Sequence, residues 1–568
     1  MIVKSADVLT LLPFLAVLGV AVLVLVMDLF HRTAQQRGYL AHVSAVGLVV
    51  AFGAVFYVSK QVVPGDAFGG MLYHDGFTLF LDGIFLLAAL VTVLLSPRYL
   101  QAHGVESGEY YVLVLMATAG MMLMAAAGHL LMLFVALEMM SLAVYVLVGY
   151  FRQDGRSAEA AMKYFFLGAF ASALFLYGSA LVYGVCGSLH FESIAVAIGS
   201  SMQAGDGALV LREGMGSATL DPLLYIGVLL LLVGMAFKVA LVPFHMWAPD
   251  AYSGAPMTVV GFMATGVKAA AFGALIRFLF IALGPEVTRL DGQGWVQLFF
   301  YLSLLTMILG NLVALVQDEI KRMLAYASIA HAGYGMVGLV AAGYFGAVGD
   351  GAPVLGYAGS SSVLFYLFTY AVATLGVFGV LSYLGYSGRD VRRITDLSGL
   401  ARSHPGLAAM MGFFLLSSAG IPMTAGFMGK FYVFKMAVVA GTVNQDPAFF
   451  VLVVVAVLAS MGGAYYYLRV IVCMYMKEAT VALEVRRSQP AMVVLALLAG
   501  LVLWVGVMPK TLFEWTSEGM RDFQGAVAYP DRRFVPEAYV PQGLNPLVEE
   551  GAVPLQVVPK GGSGGVVE

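Results

Sequence analysis

Charge is what this chain of 568 residues has least of: aspartate, glutamate, lysine and arginine make up 11% of it, against 61% hydrophobic residues. A soluble protein of that length could not cover its surface with so little polarity. The net charge of −3 leaves no electrostatic case for nucleic acid. Cysteine is nearly missing. Cys186 and Cys473 stand far apart, without a second cysteine or a histidine cluster at ligand spacing, so neither a disulfide nor a metal centre is expected. No GxGxxG and no other redox-site motif occurs. A convincing cleavable signal is lacking as well. The apolar stretch from Leu9 to Leu29 is too long for a signal core and ends at a basic turn, so it reads as a first membrane span.

What remains is a succession of apolar runs, each about twenty residues or longer, the length a helix needs to cross a bilayer. The 66 glycines suit close helix packing in lipid. Fourteen spans are counted, from 8–29 to 490–508, which gives an all-α polytopic membrane protein. The expected divisions are 1–109 (three N-terminal spans), 110–283 and 295–476 (five spans each), 490–508 (the last span) and a polar tail, 509–568, ending in a Gly-rich stretch read as disordered. Basic residues test the count. With the first loop cytoplasmic, fifteen lysines and arginines fall in cytoplasmic loops and four on the opposite face before the tail. That bias predicts that both termini face outward.

Two segments are unlike ordinary spans. The seventh runs through Lys238, Pro243, His245 and Pro249, and the twelfth through Gly420, Pro422 and Lys430. Proline removes a backbone donor and clashes with the preceding turn. Such breaks are tolerated at membrane depth only against protein or a water-filled cavity. The two lie five spans apart, an odd number, so the five-span units are expected to be inverted repeats, each with a broken helix.

Four charges sit where a bilayer should reject them: Glu138, Lys238, Lys268 and Lys430. Each costs roughly 2.5–3.5 kcal/mol at a helix centre. Burial disfavours a charged lysine and a nearby carboxylate restores it, so a buried lysine can exchange protons when a neighbouring charge moves. Glu138 reads as the one acid deep in a span and as the partner of Lys238, although a static ion pair would place the two in the same way. Lys163, near the start of the sixth span, is a second possible partner of Glu138, or it snorkels to the interface. Arg277 and Lys435 lie nearer span ends and read as snorkelling, and Arg469 is assigned no role. His245 and His331 are possible relays between the lysines, since imidazole titrates near neutrality. Each alone could equally be a packed, hydrogen-bonded histidine.

From about Leu133 to Phe434 the chain resembles the antiporter-like membrane subunits of respiratory complex I. The resemblance is carried by Lys238 to Asp250, Gly254-Ala255-Pro256, Lys268 to Ala271, Asp318 to Tyr334, and Ala419 to Phe431. Fourteen spans, a lysine at 430 and no long lateral helix after the last span are nearer to the subunit N type than to M or L. The loop of about 35 residues after Cys186 and the tail depart from that type. The resemblance implies a proton-translocating unit. Glu138 and Lys238 match its coupled pair, Lys268 its central lysine, Lys430 its outlet lysine, and His245 and His331 its bridging positions. It also implies that NADH, FMN, iron–sulfur clusters and quinone belong to partner subunits, with no cofactor or metal in this chain. The alternative is a subunit of a multisubunit sodium/proton antiporter or of a membrane-bound hydrogenase, relatives in the same superfamily.

Overall fold

Helices account for the architecture because every backbone polar group in an apolar layer must be satisfied within its own segment. The computed structural model describes residues 5–30, 38–203, 221–283, 294–346, 352–385, 389–443, 445–486 and 488–528. Among them, fourteen helices are long and apolar enough to cross a membrane. The first three are Leu12–Leu29, Gly38–Gln61 and Gly76–Ala102. The next five are Gly108–Ala126, Leu130–Val148, Gly155–Cys186, Pro222–Val239 and Met257–Leu283. The following five are Trp295–Leu315, Ile320–Tyr344, Ala358–Tyr383, Ala425–Val443 and Pro447–Met476, and Gln489–Val507 is the last. Spans 8, 10 and 11 are almost wholly buried by the others and form the centre of the molecule.

Both expected breaks are present. Span 7 stops at Val239 and resumes as a short helix, Trp247–Gly254. Span 12 is two helices, Pro405–Ala419 and Ala425–Val443, rather than one continuous run. Each break passes through left-handed backbone, at Ala240 (φ 65°) and at Gly420 (φ 91°). Span 8 departs from regular α-helix in another way: Met263–Val267, directly before Lys268, winds as a π-helical stretch.

The two five-span units share a register. Spans 5 and 10 begin at Leu130 and Ile320, 190 residues apart. A methyl placed on Gly120 of span 4 would lie 2.6 Å from the amide nitrogen of Met140. One on Gly310 of span 9 would lie 2.7 Å from that of Ala330. Both pairs keep the same offset, so the same close helix crossing is built twice.

Ion pairs show which loops share a side. Asp390, in the loop before span 12, meets His103 after span 3 (3.3 Å), Lys321 at the start of span 10 (3.8 Å) and Arg486 before span 14 (3.3 Å). Asp250, after the first break, meets Lys163 of span 6 and Arg322 of span 10. These are the loops that a count of fourteen puts on one face. Burial pushes the Asp390 carboxyl up, but His103, Lys321 and the Tyr99 hydroxyl outweigh it and hold it down at about 2.

The opposite face holds a surprise. Arg277, expected to snorkel at the end of span 8, is wholly buried and pairs with Asp75 at 2.8 Å. Its guanidinium also donates to the Ala125 carbonyl and to Thr78. Burial would raise the Asp75 carboxyl, and Arg277 more than reverses this. A sequence reading that weighs only distance from the span end misses such a pair, because the acid comes from a loop about 200 residues away. Phe523 lies against the same guanidinium, 5.2 Å from ring centre to carbon. It belongs to a helix, Pro509–Ala528, formed by the first twenty residues of what the sequence suggested was a polar tail. Leu512, Thr516, Met520 and Phe523 form its buried stripe, and it folds back on spans 3 and 11. The Gly-rich end falls outside the described residues. Part of the loop after Cys186 is also helical, at Phe191–Gln203.

Candidate functional site

The three buried lysines lie where helices lose their regular pattern. Lys238 is in the last turn before the first break, where a cation faces the negative end of the helix dipole. Its ammonium donates to the Ser141 hydroxyl at 2.8 Å and to the Tyr145 hydroxyl at 3.2 Å. Glu138 is half-buried three residues before Ser141 on span 5, and its carboxylate accepts from Ser172 of span 6. Lys238 therefore meets span 5 one turn from Glu138, and the two form no ion pair among the described residues; Ser141 and Tyr145 take the ammonium instead. Lys163 does not meet Glu138. It is about half exposed at the membrane edge and contacts Glu159 at 2.8 Å and Asp250 at 3.1 Å, because its helix position places it among the loop charges.

Lys268 follows the π-helical stretch of span 8 and is only 5% exposed. Its ammonium donates to both the hydroxyl (2.5 Å) and the carbonyl (2.6 Å) of Ser328 on span 10. His331 lies one turn further along that helix. It is buried between hydroxyls, with Nδ1 2.6 Å from Tyr366 and Nε2 3.2 Å from Tyr467. Tyr370 ties the two together: its ring lies 5.7 Å from the Lys268 ammonium and 4.8 Å from the imidazole. Tyr252, from the short helix after the first break, also reaches Ser328, at 3.4 Å.

Lys430 reaches across the second break. Its ammonium caps the carbonyls of Ser418 (3.0 Å) and Ala419 (3.1 Å), the last two residues of the first half-helix. A bond to Ser460 of span 13 at 2.9 Å completes its shell. The ring of Tyr334, three residues from His331, lies 5.3 Å below it. The arrangement thus brings Lys268, His331 and Lys430 into one tyrosine-rich core, with hydroxyls that both donate and accept. The histidines part company. His245 sits half-buried in the first break, packed edge-on to Tyr326, and contacts none of the lysines.

Sequence reasoning missed Ser328 and the tyrosines, whose residue types carry no signal of their own. It also missed an acid. Asp82, six residues past the start of span 3, is 5% exposed, and its Oδ1 has no hydrogen-bond partner among the described residues. Its single carboxyl in an otherwise apolar run was the available signal.

The family model described as NADH:quinone oxidoreductase/Mrp antiporter, transmembrane, matches residues 127–460. NADH-quinone oxidoreductase subunit N of Trichlorobacter lovleyi is 40% identical over 509 residues, which cover 89% of this chain and 95% of that one. A chain of respiratory complex I from Thermus thermophilus, solved with bound aureothin, superposes with a TM-score of 0.68 at 33% identity. The match covers 89% of this chain and 99% of that chain. A chain of the Mrp complex from a Dietzia species gives 0.74 at 20% identity, over 92% and 98% of the two chains, which is a likeness of fold. The chain belongs to the antiporter-like membrane subunits of NADH:quinone oxidoreductase, within the subunit N branch.

Proposed function

We propose that this chain carries protons across the membrane as a subunit of an NADH:quinone oxidoreductase, along a line from Glu138 and Lys238 through Lys268 and His331 to Lys430. The observation that carries the reading is the run of contacts from Lys268 through the Tyr370 ring to His331 and its tyrosines, in the centre of the helix bundle. A change in the separation of Glu138 and Lys238 alters the field at Lys268. Lys268 passes its proton toward His331, and Lys430 releases it at the far end. Moving one charge against 100 mV costs about 2.3 kcal/mol, which a change in one buried charge pair can supply. His245 and Lys163 stay off this line, the first a packed histidine and the second part of the charged mouth on the basic face.

The two inverted units, 110–283 and 295–476, supply one broken helix each to the path. NADH, FMN, iron–sulfur clusters and quinone belong to partner subunits, whose redox chemistry drives the charge movement. The basic face is cytoplasmic and both termini face outward across a bacterial plasma membrane, in keeping with the basic loops.

The test is NADH-driven proton uptake by the purified complex in liposomes. Lys268→Met is expected to lower pumping and, through coupling, turnover by about tenfold, the effect of about 1.4 kcal/mol on a barrier. Undiminished pumping would end this reading. Sodium uptake in place of proton uptake would move the chain to the cation-exchange branch.

A further inference from the structure

Of the cavities that open on the basic face, two differ in charge. One, of about 790 Å³, is the charged mouth around Asp250 and Asp390, where Asp154, Glu159 and Glu319 join the arginines and lysines. The other, of about 1090 Å³, lies between the ends of spans 2, 3, 11, 12 and 14. Arg98, His42 and His404 line it, and none of its lining residues is an aspartate or glutamate. Many basic residues on this face are paired: Lys163, Lys321, Arg322, Arg392 and Arg486 each meet an acid. Arg98 meets none among the described residues; its guanidinium is steadied by Gln101 Oε1 at 3.1 Å. The Nδ1 of His404 is buried with no hydrogen-bond partner among the described residues. Two helices, Pro405–Ala419 and Gln489–Val507, begin at the cleft; the second is capped by the Ser488 hydroxyl on the Ala491 amide, and the first carries no side-chain cap, so its first-turn amides after Pro405 face that end.

The walls have the opposite character. Leu94, one turn deeper than Arg98, forms one side with Pro97, and Leu407, Met410 and Met492 form the other. Each helical turn descends about 5.4 Å, so these side chains carry the cleft from the interface toward the apolar layer. A polar, cationic end at the interface and an apolar end within the layer complement one kind of molecule.

We propose that this cleft binds an anionic phospholipid, with its phosphate at Arg98 and His404 and an acyl chain along Leu94, Met410 and Met492. The recognition chemistry is phosphate on a guanidinium and on one uncapped helix start, reinforced by apolar contact that a soluble anion lacks. The site lies apart from the lysine line and bears on how the N-terminal spans hold to the second repeat.

A photoactivatable phosphatidylglycerol, cross-linked to the purified complex in liposomes and located by peptide mass spectrometry, tests the proposal. Labelling is expected on peptides holding Leu94, Met410 and Met492. Arg98→Gln is expected to lower it about fivefold, the worth of one basic residue near a lipid headgroup. Gly406→Phe adds bulk at the cleft without touching its charge, in a place where nothing lies within 4 Å of an added Cβ, and is expected to lower it as well. Equal labelling by a photoactivatable phosphatidylcholine would overturn the proposal. So would displacement by inorganic phosphate, which would make this a site for small anions. Cross-links to another subunit's helix seated in the cleft, with no lipid label, would also overturn it.

Discussion

The two halves of the molecule build the same helix crossing and fill it with different charges. With the offset of 190 residues, Ser328 of span 10 stands where Glu138 stands in span 5. In the first half the lysine of the broken helix, Lys238, has a carboxylate on the helix it contacts. In the second half the serine holds Lys268, which reaches over from span 8 of the first, and Lys430 rests on the free carbonyls of a helix end. Neither touches an acid among the described residues. An ammonium beside a carboxylate gains a large, distance-dependent energy, so a small displacement changes it greatly. An ammonium on carbonyls and hydroxyls is solvated locally and responds to charge only from afar. On the proposed path the first half would convert motion into charge, and the second would accept and release what arrives.

If that division is right, removing the one carboxylate does the most damage. Glu138→Gln keeps the bond from Ser172 and leaves Lys238 without its counter-charge. Proton pumping per NADH and turnover are expected to fall about tenfold, as a barrier increase of about 1.4 kcal/mol implies. Full pumping in liposomes would erase the distinction between the halves. The converse change is Ser328→Glu, which gives the second half the first half's acid. Lys268 would then hold its proton in a direct ion pair, and turnover is expected to drop several-fold without loss of assembly. An unchanged rate would mean that the identity of this residue does not matter.

The second half does own a partnered acid at its edge, and it behaves differently. Asp390 joins Tyr99, His103, Lys321 and Arg486, a static knot of loops. Asp390→Asn is expected to cost about 1–3 kcal/mol of stability, from cations left half-paired, and to leave the protons pumped per NADH unchanged. The carboxyl is depressed in the folded protein, so its stabilisation is present above the unfolded value of about 4 and is lost as pH falls toward about 2. Thermal unfolding of the two proteins should differ at pH 5 and converge only below pH 4. A gap that closes already between pH 8 and 5 would show that another group carries the effect.

Much of this was legible in the chain, for uneven reasons. Span number, and with it which loops share a face, follows from the succession of apolar runs, which is composition. The second break was legible because Gly420 and Pro422 are the residues such a turn requires. The first was half legible: Pro243 marks it, but its left-handed residue is Ala240, which no propensity would choose. Lysines in apolar segments stand out, whereas Ser328, Tyr366 and Tyr467 do not, since serine and tyrosine are at home in any helix bundle. The Arg277–Asp75 pair was not legible because it closes over about 200 residues of chain. The stripe of Pro509–Ala528 was present at intervals of three and four residues, within a segment whose composition is that of a tail.

The smallest expected effect bears most directly on what the serine at 328 is for. Ser328 offers Lys268 two acceptors, a hydroxyl and its own carbonyl, and Tyr252 a weak third contact. Ser328→Ala removes the hydroxyl and leaves the carbonyl at 2.6 Å, so the ammonium keeps a partner and the helix keeps its shape. Turnover is expected to fall only about twofold, since the loss is one of two hydrogen bonds to a charged group and the carbonyl bond persists. A fall as deep as that of Glu138→Gln would mean that the hydroxyl itself passes the proton. The second half would then need its serine as much as the first needs its acid, and the two would differ in chemistry but not in importance.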